Sequence, residues 1–458
     1  MTICYTQPVH STEVNQASEP AAISKYEGRR PRWQTLARSP WFIAAVALAF
    51  RILVLTVGHF YRITPRRDHF DFGWEMGRIA RSLAMGEGFS SPTDLPTGPT
   101  AWAAPLYPYL LAGIFKLAGV YTHSAAFLVF TANSIFSALT CVSLYGTGKR
   151  TFGETTARWC AWTWALLPYA VYWSVRTVWE TTLSALLLSL AFLLVLRLDE
   201  EANRRDWIWF GVLWGVITLT NPTLLSFLPV ALLWLWHRLR GRRRRLLRQM
   251  AGSMLLAGLI ITPWLVRNYL VFGCFVFVRD NFGLELRVAN NPKSGGIWKR
   301  AEHPGNDPAQ MRLMQQMGEL PYMQMMQREA LDFIRRNPAA FAMYTVRRFA
   351  YFWAGKPQWA GIGGFDLAPA RHMAFLLTAL FPLAGLVLAI RKSVPSAWLF
   401  AWLLIVFPLP YYIAHSTPRY RHPIEPEMLL LIVYLVYEAR RIEVPLPGWM
   451  RKPRQFQI

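Results

Sequence analysis

The chain has 458 residues, of which 53% are hydrophobic, 15% are aromatic and only 16% are charged. Soluble domains carry about 25% charged residues, so this composition excludes an ordinary soluble protein. A net charge of +23 would indicate nucleic-acid binding in a soluble chain. Here much of the positive excess lies in short loops between apolar segments, which is typical of the cytoplasmic side of a membrane protein. We therefore exclude a nucleic-acid partner.

The first forty residues are polar, and we expect neither a cleavable signal peptide nor an ordered domain there. Their basic residues predict a cytoplasmic tail and are Lys25, Arg29, Arg30, Arg32 and Arg38. The first predicted span covers about residues 41–60 and carries Arg51 near its middle. A charge at that depth is costly unless it faces protein or water, so we expect Arg51 to point into the helix bundle. There it either partners a buried acid or carbonyl or contacts a substrate.

The first outer loop, residues 61–124, holds the densest cluster of acidic, aromatic, glycine and proline residues. Asp71 and Glu75 are four residues apart and therefore share one face of a helix. Two polar residues continue this face and four apolar residues form a stripe beside it: Arg78 and Ser82, and Phe72, Met76, Ile79 and Leu83. The pattern predicts a helix that lies along the membrane surface and ends near Gly86 and Gly88.

A second apolar stretch of this loop, residues 105–119, is ambiguous by hydropathy. The six spans predicted after it are 125–146, 158–175, 180–198, 206–220, 222–238 and 250–271. If 125–146 starts outside, the arginine run within 238–248 falls inside, whereas counting 105–119 as a span inverts this arrangement. We therefore predict a juxtamembrane or re-entrant helix at 105–119. Asn221-Pro222 separates two of the spans, because proline cannot continue the helical hydrogen bonds.

The seventh span leads into the largest outer segment, residues 272–371, which contains a methionine-rich helical region around 309–336. We attribute these methionines mainly to flexible packing, with contact to a lipid substrate as the alternative. Further spans are predicted at about 372–390, 396–413 and 425–439, which gives ten spans with both termini in the cytoplasm. The predicted units are a tail at 1–40, a transmembrane catalytic module at 41–271, an outer domain at 272–371, C-terminal spans at 372–440 and a tail at 441–458.

Three polar groups fall on the same side of the membrane in this topology. The first is Asp71 with Glu75, and the second is Trp179-Glu180 in a short outer turn. The third is the stretch 419–422 before the last span, together with Arg267 at the outer end of the seventh. Each group alone is more often structural or solvated than catalytic. Their convergence on one side indicates a site.

A carboxylate beside cationic side chains at a membrane surface suits sugar transfer from a lipid-linked phosphosugar. Arginines would bind the donor phosphate and stabilise the leaving group, and the candidates are Arg267, Arg419 and Arg421. A carboxylate would take the proton of an acceptor hydroxyl during attack on the anomeric carbon, which inverts that centre. Asp71 is the candidate base, and Glu75 or Glu180 would hold the acceptor, a divalent metal or the geometry of the site.

Several aromatic and histidine residues are candidate substrate contacts: Trp102, Tyr107, Trp179, Tyr420, His303 and His422. Aromatic side chains at span ends anchor helices at the headgroup level, and some could stack on sugar rings. The four cysteines show neither a disulfide framework nor metal-type spacing. A divalent metal, if one is used, would therefore rest on the paired acids.

The layout of the chain resembles the GT-C superfamily of integral membrane glycosyltransferases. One span is followed by an outer loop with an acid and two surface helices, six more spans, a large outer loop and further spans. The chain is similar to bacterial protein O-mannosyltransferases and lipid A aminoarabinose transferases, the family 39 or dolichyl-phosphate-mannose–protein mannosyltransferase-like branch. The resemblance implies an all-α polytopic membrane fold.

The resemblance also implies roles for two acids. In the family, an acid lies about fifteen positions before the glycine that closes the first surface helix, as Asp71 lies before Gly86. It implies that Asp71 rather than Asp68 is the base and that Glu180 occupies the place of a second family acid. The stretch 419–421 corresponds loosely to basic residues that hold the lipid phosphate.

The chain departs from the family pattern at two positions. Many members have adjacent acids where this chain has Asp71-Phe72, and the aminoarabinose transferases have a lysine where this chain has Ala104. The second departure argues against an aminoarabinose donor, so the resemblance implies the reaction class and not the sugar.

The sequence therefore predicts an inverting glycosyltransferase of a bacterial inner membrane that uses a polyprenyl-phosphate-linked sugar at the periplasmic face. The acceptor is a protein, a glycan or a lipid. Two alternatives are a transporter or flippase of lipid-linked glycans and an oligosaccharide polymerase or ligase with a diphosphate-linked donor. A third is a non-catalytic scaffold, which would tolerate the loss of the acids.

Overall fold

The computed structural model describes residues 36–63, 72–201, 203–355 and 368–440, which are nearly all helical. The first half comprises α1 Pro40–Val57, α2 Glu75–Ala84, α3 Leu106–Ala118, α4 His123–Thr151, α5 Glu154–Leu166, α6 Pro168–Arg176, α7 Thr181–Glu201 and α8 Arg204–Thr220. The second half comprises α9 Leu228–Arg238, α10 Arg243–Phe272, α11 Phe282–Arg287, α12 Pro308–Met317, α13 Glu319–Arg336, α14 Pro338–Ala354, α15 Ala368–Arg391, α16 Ala397–Val406, α17 Leu409–Ile413 and α18 Glu425–Ala439. Two 3₁₀ helices, Pro222–Phe227 and Pro418–Ile424, precede α9 and α18. The all-α fold class predicted from the sequence is confirmed.

Helices lie at all ten positions predicted to span the membrane. Within the described ranges, five are long and apolar enough to cross a bilayer: Pro40–Val57, His123–Thr151, Thr181–Glu201, Arg243–Phe272 and His372–Arg391. Shorter helices occupy the other positions, either singly, as α8 and α18, or in consecutive pairs, such as α5 and α6, which Pro168 separates. The number of helices that cross the membrane and their orientation stay predictions.

Helix α3 is the segment whose hydropathy was ambiguous. Its 13 residues span about 20 Å at 1.5 Å per residue, less than the roughly 30 Å of a hydrocarbon core. The length fits the prediction that 105–119 does not cross the membrane.

Helix α2 ends as the sequence predicts. Gly86 adopts φ 85°, its N–H donates to the Leu83 carbonyl, and the N–H of Glu87 donates to the Ser82 carbonyl. This pair of bonds is a Schellman motif, which a glycine accommodates without strain. Protein also covers the polar face of α2, because Arg78 and Ser82 are fully buried. The position of this helix along the membrane surface stays a prediction.

Arg51 points into the bundle, as predicted for a charge at that depth. It is fully buried and donates to the carbonyls of Ala47, Trp164 and Ala165 and to the Ser137 hydroxyl. Because Pro168 has no N–H, the Trp164 carbonyl at the end of α5 lacks its usual helical donor. Of the two roles considered for Arg51, the structure supports that of a structural partner to buried carbonyls.

Two glycines of α8 allow close contact with α10. A Cβ atom at Gly211 would lie 2.5 Å from the Ser253 carbonyl oxygen, and one at Gly215 would lie 2.8 Å from Ile260 side-chain atoms. Small residues four positions apart are a common way for apolar helices to approach closely. This contact fixes α8 against α10.

The segment after α10 forms a small core of its own. Met311, Met314, Met323 and Met326 are buried with Trp102 and Leu284 in one cluster. These methionines therefore pack against protein, as the first of the two interpretations predicted. Helix α14, in the same segment, has an exposed apolar face that includes Met343, Val346 and Phe349.

We predict that Gly211→Ala lowers the unfolding free energy by about 1 to 3 kcal/mol, because the added methyl group has no space. Gly252→Ala on α10 is the matched control, since no atom lies within 4 Å of its Cβ position. The measurement is thermal unfolding of both variants in detergent. Equal midpoints for the two would contradict the packing described here.

Candidate active site

Two cavity lobes meet at a shared wall between the first outer loop, the segment after α10 and the loop before α18. The larger lobe has a volume of about 940 Å³ and the smaller about 150 Å³. Six residues line both lobes: Glu75, Trp179, Glu285, His415, Arg419 and Tyr420. Five of them are ionisable, so the junction of the two lobes is the most polar wall of the cavity.

The two lobes differ in chemistry. The larger lobe is rich in aromatic side chains, which include Trp74, Tyr169, Tyr172, Trp173, Trp298 and Phe375. The smaller lobe is more polar and includes Glu180, Asn221, Thr223, Arg279 and Asn281. Aromatic faces suit sugar rings or an isoprenoid chain, whereas the polar lobe can satisfy hydroxyl groups.

Glu75 begins α2 at the junction of the lobes. Its side chain is only 14% exposed, and burial raises the pKa of its carboxyl to about 7. The preceding residue, Trp74, adopts φ 45° and ψ −112°, which is unfavourable for any residue with a Cβ. The strained residue and the perturbed carboxyl are adjacent, as is common at functional sites.

His303 faces Glu75 across the larger lobe. Its Nε2 lies 3.6 Å from Glu75 Oε1, and its Nδ1 accepts a hydrogen bond from the N–H of Gly305. Burial lowers the pKa of His303 to about 4, so the ring is neutral at neutral pH. Because Nδ1 is an acceptor, the proton lies on Nε2 and points toward Glu75.

Arg419 lies at the centre of the shared wall. Its guanidinium carbon is 4.0 Å from the centroid of the Trp179 ring and 5.0 Å from that of Tyr420. Its Nη2 donates to the Tyr420 hydroxyl over 3.3 Å, the single hydrogen bond that it makes to the described part of the chain. The remaining N–H groups are therefore available to an anion in the cavity.

The smaller lobe contains a second acid and a second arginine. Glu180 is half-buried, and its Oε2 accepts no hydrogen bond from the described residues. Arg279 donates to Thr223 Oγ1 over 3.3 Å. Asn221 caps the 3₁₀ helix through the N–H of Thr223 and reaches Ser184 Oγ at 3.4 Å, so the Asn221-Pro222 break lies on the cavity wall.

Two of the three arginines predicted to bind the donor phosphate lie elsewhere and need correction. Arg267 donates to the carbonyls of Phe89 and Thr100 and lines neither lobe. Arg421 is 1% exposed and binds Glu425, Thr378 and the carbonyls of Trp353 and Phe375. Both guanidinium groups are occupied by the protein, so only Arg419 among the three predicted residues faces the cavity.

Two predicted substrate contacts are also wrong in position. Tyr107 is fully buried, and its hydroxyl donates to Asn133. His422 is fully buried, stacks on Trp164 and has Glu425 within 2.9 Å. The other predicted contacts, Trp102, Trp179, Tyr420 and His303, do line the cavity.

The predicted base, Asp71, and its neighbour Asp68 lie outside the described residues. Three cavity residues that sequence reasoning did not select are Arg279, Glu285 and His415. The first two occur in the stretch 279–287, whose clustered charges between apolar residues were the available signal.

The described residues contain no group of three or more histidine, cysteine, aspartate or glutamate side chains arranged to hold a metal ion. Glu75 and Glu180 line the same small lobe. The use of a divalent metal therefore stays a prediction from the sequence.

We predict that Arg421→Gln lowers the unfolding free energy by about 3 to 5 kcal/mol, because Glu425 and two carbonyls lose their buried partner. Arg335→Gln, at a side chain that is 74% exposed, should change it by less than about 0.5 kcal/mol. Thermal unfolding in detergent checks both values. A stable Arg421→Gln protein with weakened binding of polyprenyl phosphate would return Arg421 to the donor site.

Comparison with known proteins supports the resemblance found in the sequence. A family model described as dolichyl-phosphate-mannose-protein mannosyltransferase matches residues 102–266. Among curated protein sequences, none matches this chain. The matched range includes Glu180 and four of the aromatic residues that line the larger lobe.

The fold is similar to that of solved GT-C enzymes. The apo oligosaccharyltransferase of Archaeoglobus fulgidus aligns with a TM-score of 0.51 and 14% identity, over 91% of this chain and 52% of that one. The same enzyme with zinc and sulfate gives 0.51 and 13%, over 86% and 49%. ArnT of Cupriavidus metallidurans bound to undecaprenyl phosphate gives 0.37 and 15%, over 86% and 78%.

The chain spans about half the length of the oligosaccharyltransferase that it matches. Identities of this size establish the fold and not the activity. The resemblance to the GT-C superfamily, and to its mannosyltransferase-like branch, is confirmed. The protein is thus a membrane protein with a GT-C fold.

Proposed function

We propose that this chain is an inverting glycosyltransferase that takes a sugar from a polyprenyl-phosphate donor. The acceptor is a hydroxyl group of a protein, glycan or lipid. The site lies at the periplasmic face of a bacterial inner membrane. The observation that carries the proposal is Arg419, which stacks on Trp179 at the junction of two lobes, beside Glu75, and keeps donor groups available for an anion.

The proposed reaction is a single displacement. The acceptor oxygen forms a bond to the anomeric carbon while the bond from that carbon to the phosphate oxygen breaks, and polyprenyl phosphate leaves. Arg419 balances the charge that develops on the leaving phosphate. The acceptor proton passes to a carboxylate, for which we keep Asp71 as the candidate base.

Glu75 and Glu180 have separate parts in this proposal. Glu75 lies between the lobes, 3.6 Å from the neutral His303, and is suited to holding the acceptor or the base in position. Glu180 lies in the polar lobe with an oxygen that no described group binds, and is suited to a sugar hydroxyl. A divalent metal bound by these acids would act as a Lewis acid on the phosphate.

Of the competing functions, a transporter or flippase has the least support. A transporter or flippase would place ionisable residues along a central path, and Arg51 was the main candidate for such a residue. Its guanidinium instead binds three backbone carbonyls and a serine, which suits a structural role. A polymerase or ligase with a diphosphate donor would depend on several outer arginines, of which Arg279 and Arg419 line the cavity.

The proposed arrangement follows the units predicted from the sequence. The catalytic module is residues 41–271, and the outer segment 272–371 contributes Arg279, Glu285 and His303 to the cavity. Both termini would lie in the cytoplasm.

We predict that Asp71→Asn abolishes transfer of radiolabelled sugar from polyprenyl-phosphate donors to acceptors in membranes, because the base is lost. Asp68→Asn is the matched control, three residues away, and should keep full transfer. Equal loss in both variants, or in neither, would remove Asp71 as the base. Absence of transfer by the unchanged protein from every donor would contradict the proposed function itself.

We predict that donor affinity falls about threefold to tenfold as the pH rises through about 7, because Glu75 loses its proton near Arg419. Below a pH of about 7 the Glu75 carboxyl is neutral. Above that pH it is an anion, which competes with the donor phosphate for Arg419. A phosphodiester-linked donor keeps one negative charge throughout this range. Glu75→Gln should bind it with a flat pH profile in an equilibrium binding assay. An unchanged slope in that variant would assign the pH dependence to another group.

A further inference from the structure

We propose that Glu285 is a positioning residue that acts on Arg419 through His415 and Tyr420. The inference rests on the proposed function, because it assigns Arg419 to the donor phosphate. It adds a residue from the segment after α10 that neither the sequence nor the comparisons assign to the site. Its substrate class is the phosphate of a polyprenyl-linked sugar.

The four side chains form a continuous series of polar contacts along the shared wall. Glu285 Oε2 lies 3.3 Å from His415 Nδ1, and His415 Nε2 lies 2.8 Å from the Tyr420 hydroxyl oxygen. Arg419 Nη2 lies 3.3 Å from the same oxygen. At the other end, Asn281 Nδ2 donates to Glu285 Oε1 over 3.1 Å.

The direction of the hydrogen bonds follows from the ends of the series. Arg419 can only donate, so the Tyr420 oxygen accepts from it, and the tyrosine hydroxyl can in turn donate to His415 Nε2. His415 then carries its proton on Nδ1, toward the carboxylate of Glu285. Burial lowers the pKa of the His415 ring, which favours this neutral form. His415 Nδ1 makes no hydrogen bond to the described residues, so Glu285 acts on the series through the charge of its carboxylate, 3.3 Å away, which favours the proton on Nδ1.

Ring stacking holds the middle of the series in place. Tyr420 stacks on Tyr411 with centroids 4.4 Å apart and planes at 15°. Arg419 lies over Trp179 at 4.0 Å. The two stacked pairs fix the planes of the tyrosine and guanidinium groups, and the hydrogen bond between them fixes the rotation of the guanidinium. A preorganised guanidinium binds a phosphate without a further entropy cost.

The removal of the carboxylate should reverse this orientation. In Glu285→Gln, the negative charge that favours a proton on His415 Nδ1 is lost, so the histidine proton can move to Nε2 and point at the tyrosine oxygen. The tyrosine proton can then no longer point at Nε2 and turns toward Arg419. Two hydrogen-bond donors, the tyrosine O–H and the Arg419 N–H, would then face each other. Arg419 loses its acceptor and leaves the position above Trp179.

The test is equilibrium binding of undecaprenyl phosphate to the purified full-length protein in detergent, at about pH 8, where the phosphate is fully ionised. The variants are Glu285→Gln, Tyr420→Phe, Arg419→Gln and the double variant Glu285→Gln with Arg419→Gln. Glu329→Gln is the matched control, because Glu329 is an exposed acid of α13 that pairs with Arg287 away from the cavity. Thermal unfolding of every variant is recorded beside the binding.

We expect Glu285→Gln and Tyr420→Phe each to weaken binding about 5- to 20-fold, and Glu329→Gln to leave it unchanged. In the Arg419→Gln background, Glu285→Gln should have no further effect, because it acts only through the arginine. A further loss in the double variant would assign Glu285 a general structural role and overturn the inference. Wild-type affinity in Glu285→Gln would also overturn it. Failure of the unchanged protein to bind undecaprenyl phosphate would instead contradict the proposed function.

Discussion

Buried backbone carbonyl groups need hydrogen-bond donors, and buried arginine side chains supply several of them in this protein. Arg51 binds the carbonyls at the end of α5, where Pro168 interrupts the helix. Arg348 binds four carbonyls of three separate segments, and Arg421 binds those of Trp353 and Phe375. A buried polar group left without a partner costs about 1 to 3 kcal/mol, so these arginines are part of the fold.

Arg419 differs from these structural arginines in the way the protein holds it. Arg419 makes a single hydrogen bond to the described residues, through the Tyr420 hydroxyl, and is otherwise held by the faces of aromatic rings. Ring stacking fixes a guanidinium group without occupying its N–H donors. The same residue lies where an aromatic lobe meets a polar lobe, which suits a ligand with an isoprenoid or sugar part on one side and a reacting centre on the other.

Much of the fold could be predicted from the sequence because long apolar runs and proline breaks are local features. The positions of the ten helical segments, the Gly86 helix end and the inward direction of Arg51 are examples. The choice among neighbouring arginines could not be predicted. Residues 419 and 421 are two positions apart in a 3₁₀ helix of three residues per turn, so they point in different directions, and only tertiary packing decides which one reaches the cavity.

The site also depends on contacts between residues that are far apart in sequence, and these contacts could not be predicted. Glu285 and His415 are 130 residues apart in sequence and 3.3 Å apart in the structure. No local pattern joins them. Tyr107 and His422 are residue types expected of substrate contacts, yet both are fully buried, where Asn133 binds the Tyr107 hydroxyl and Glu425 binds His422 Nδ1. Sequence reasoning grouped Glu75, Trp179, Glu180 and Arg419, which line one cavity lobe, whereas packing decides which of their neighbours reach it.

A structure of the protein with bound polyprenyl phosphate tests the central claim most directly. The account predicts that the phosphate lies within hydrogen-bond distance of the Arg419 guanidinium, between Glu75 and Trp179, with the isoprenoid chain leaving through the aromatic lobe. A phosphate bound at Arg267 or at the arginine run within 238–248, with an empty cavity at Arg419, would contradict it.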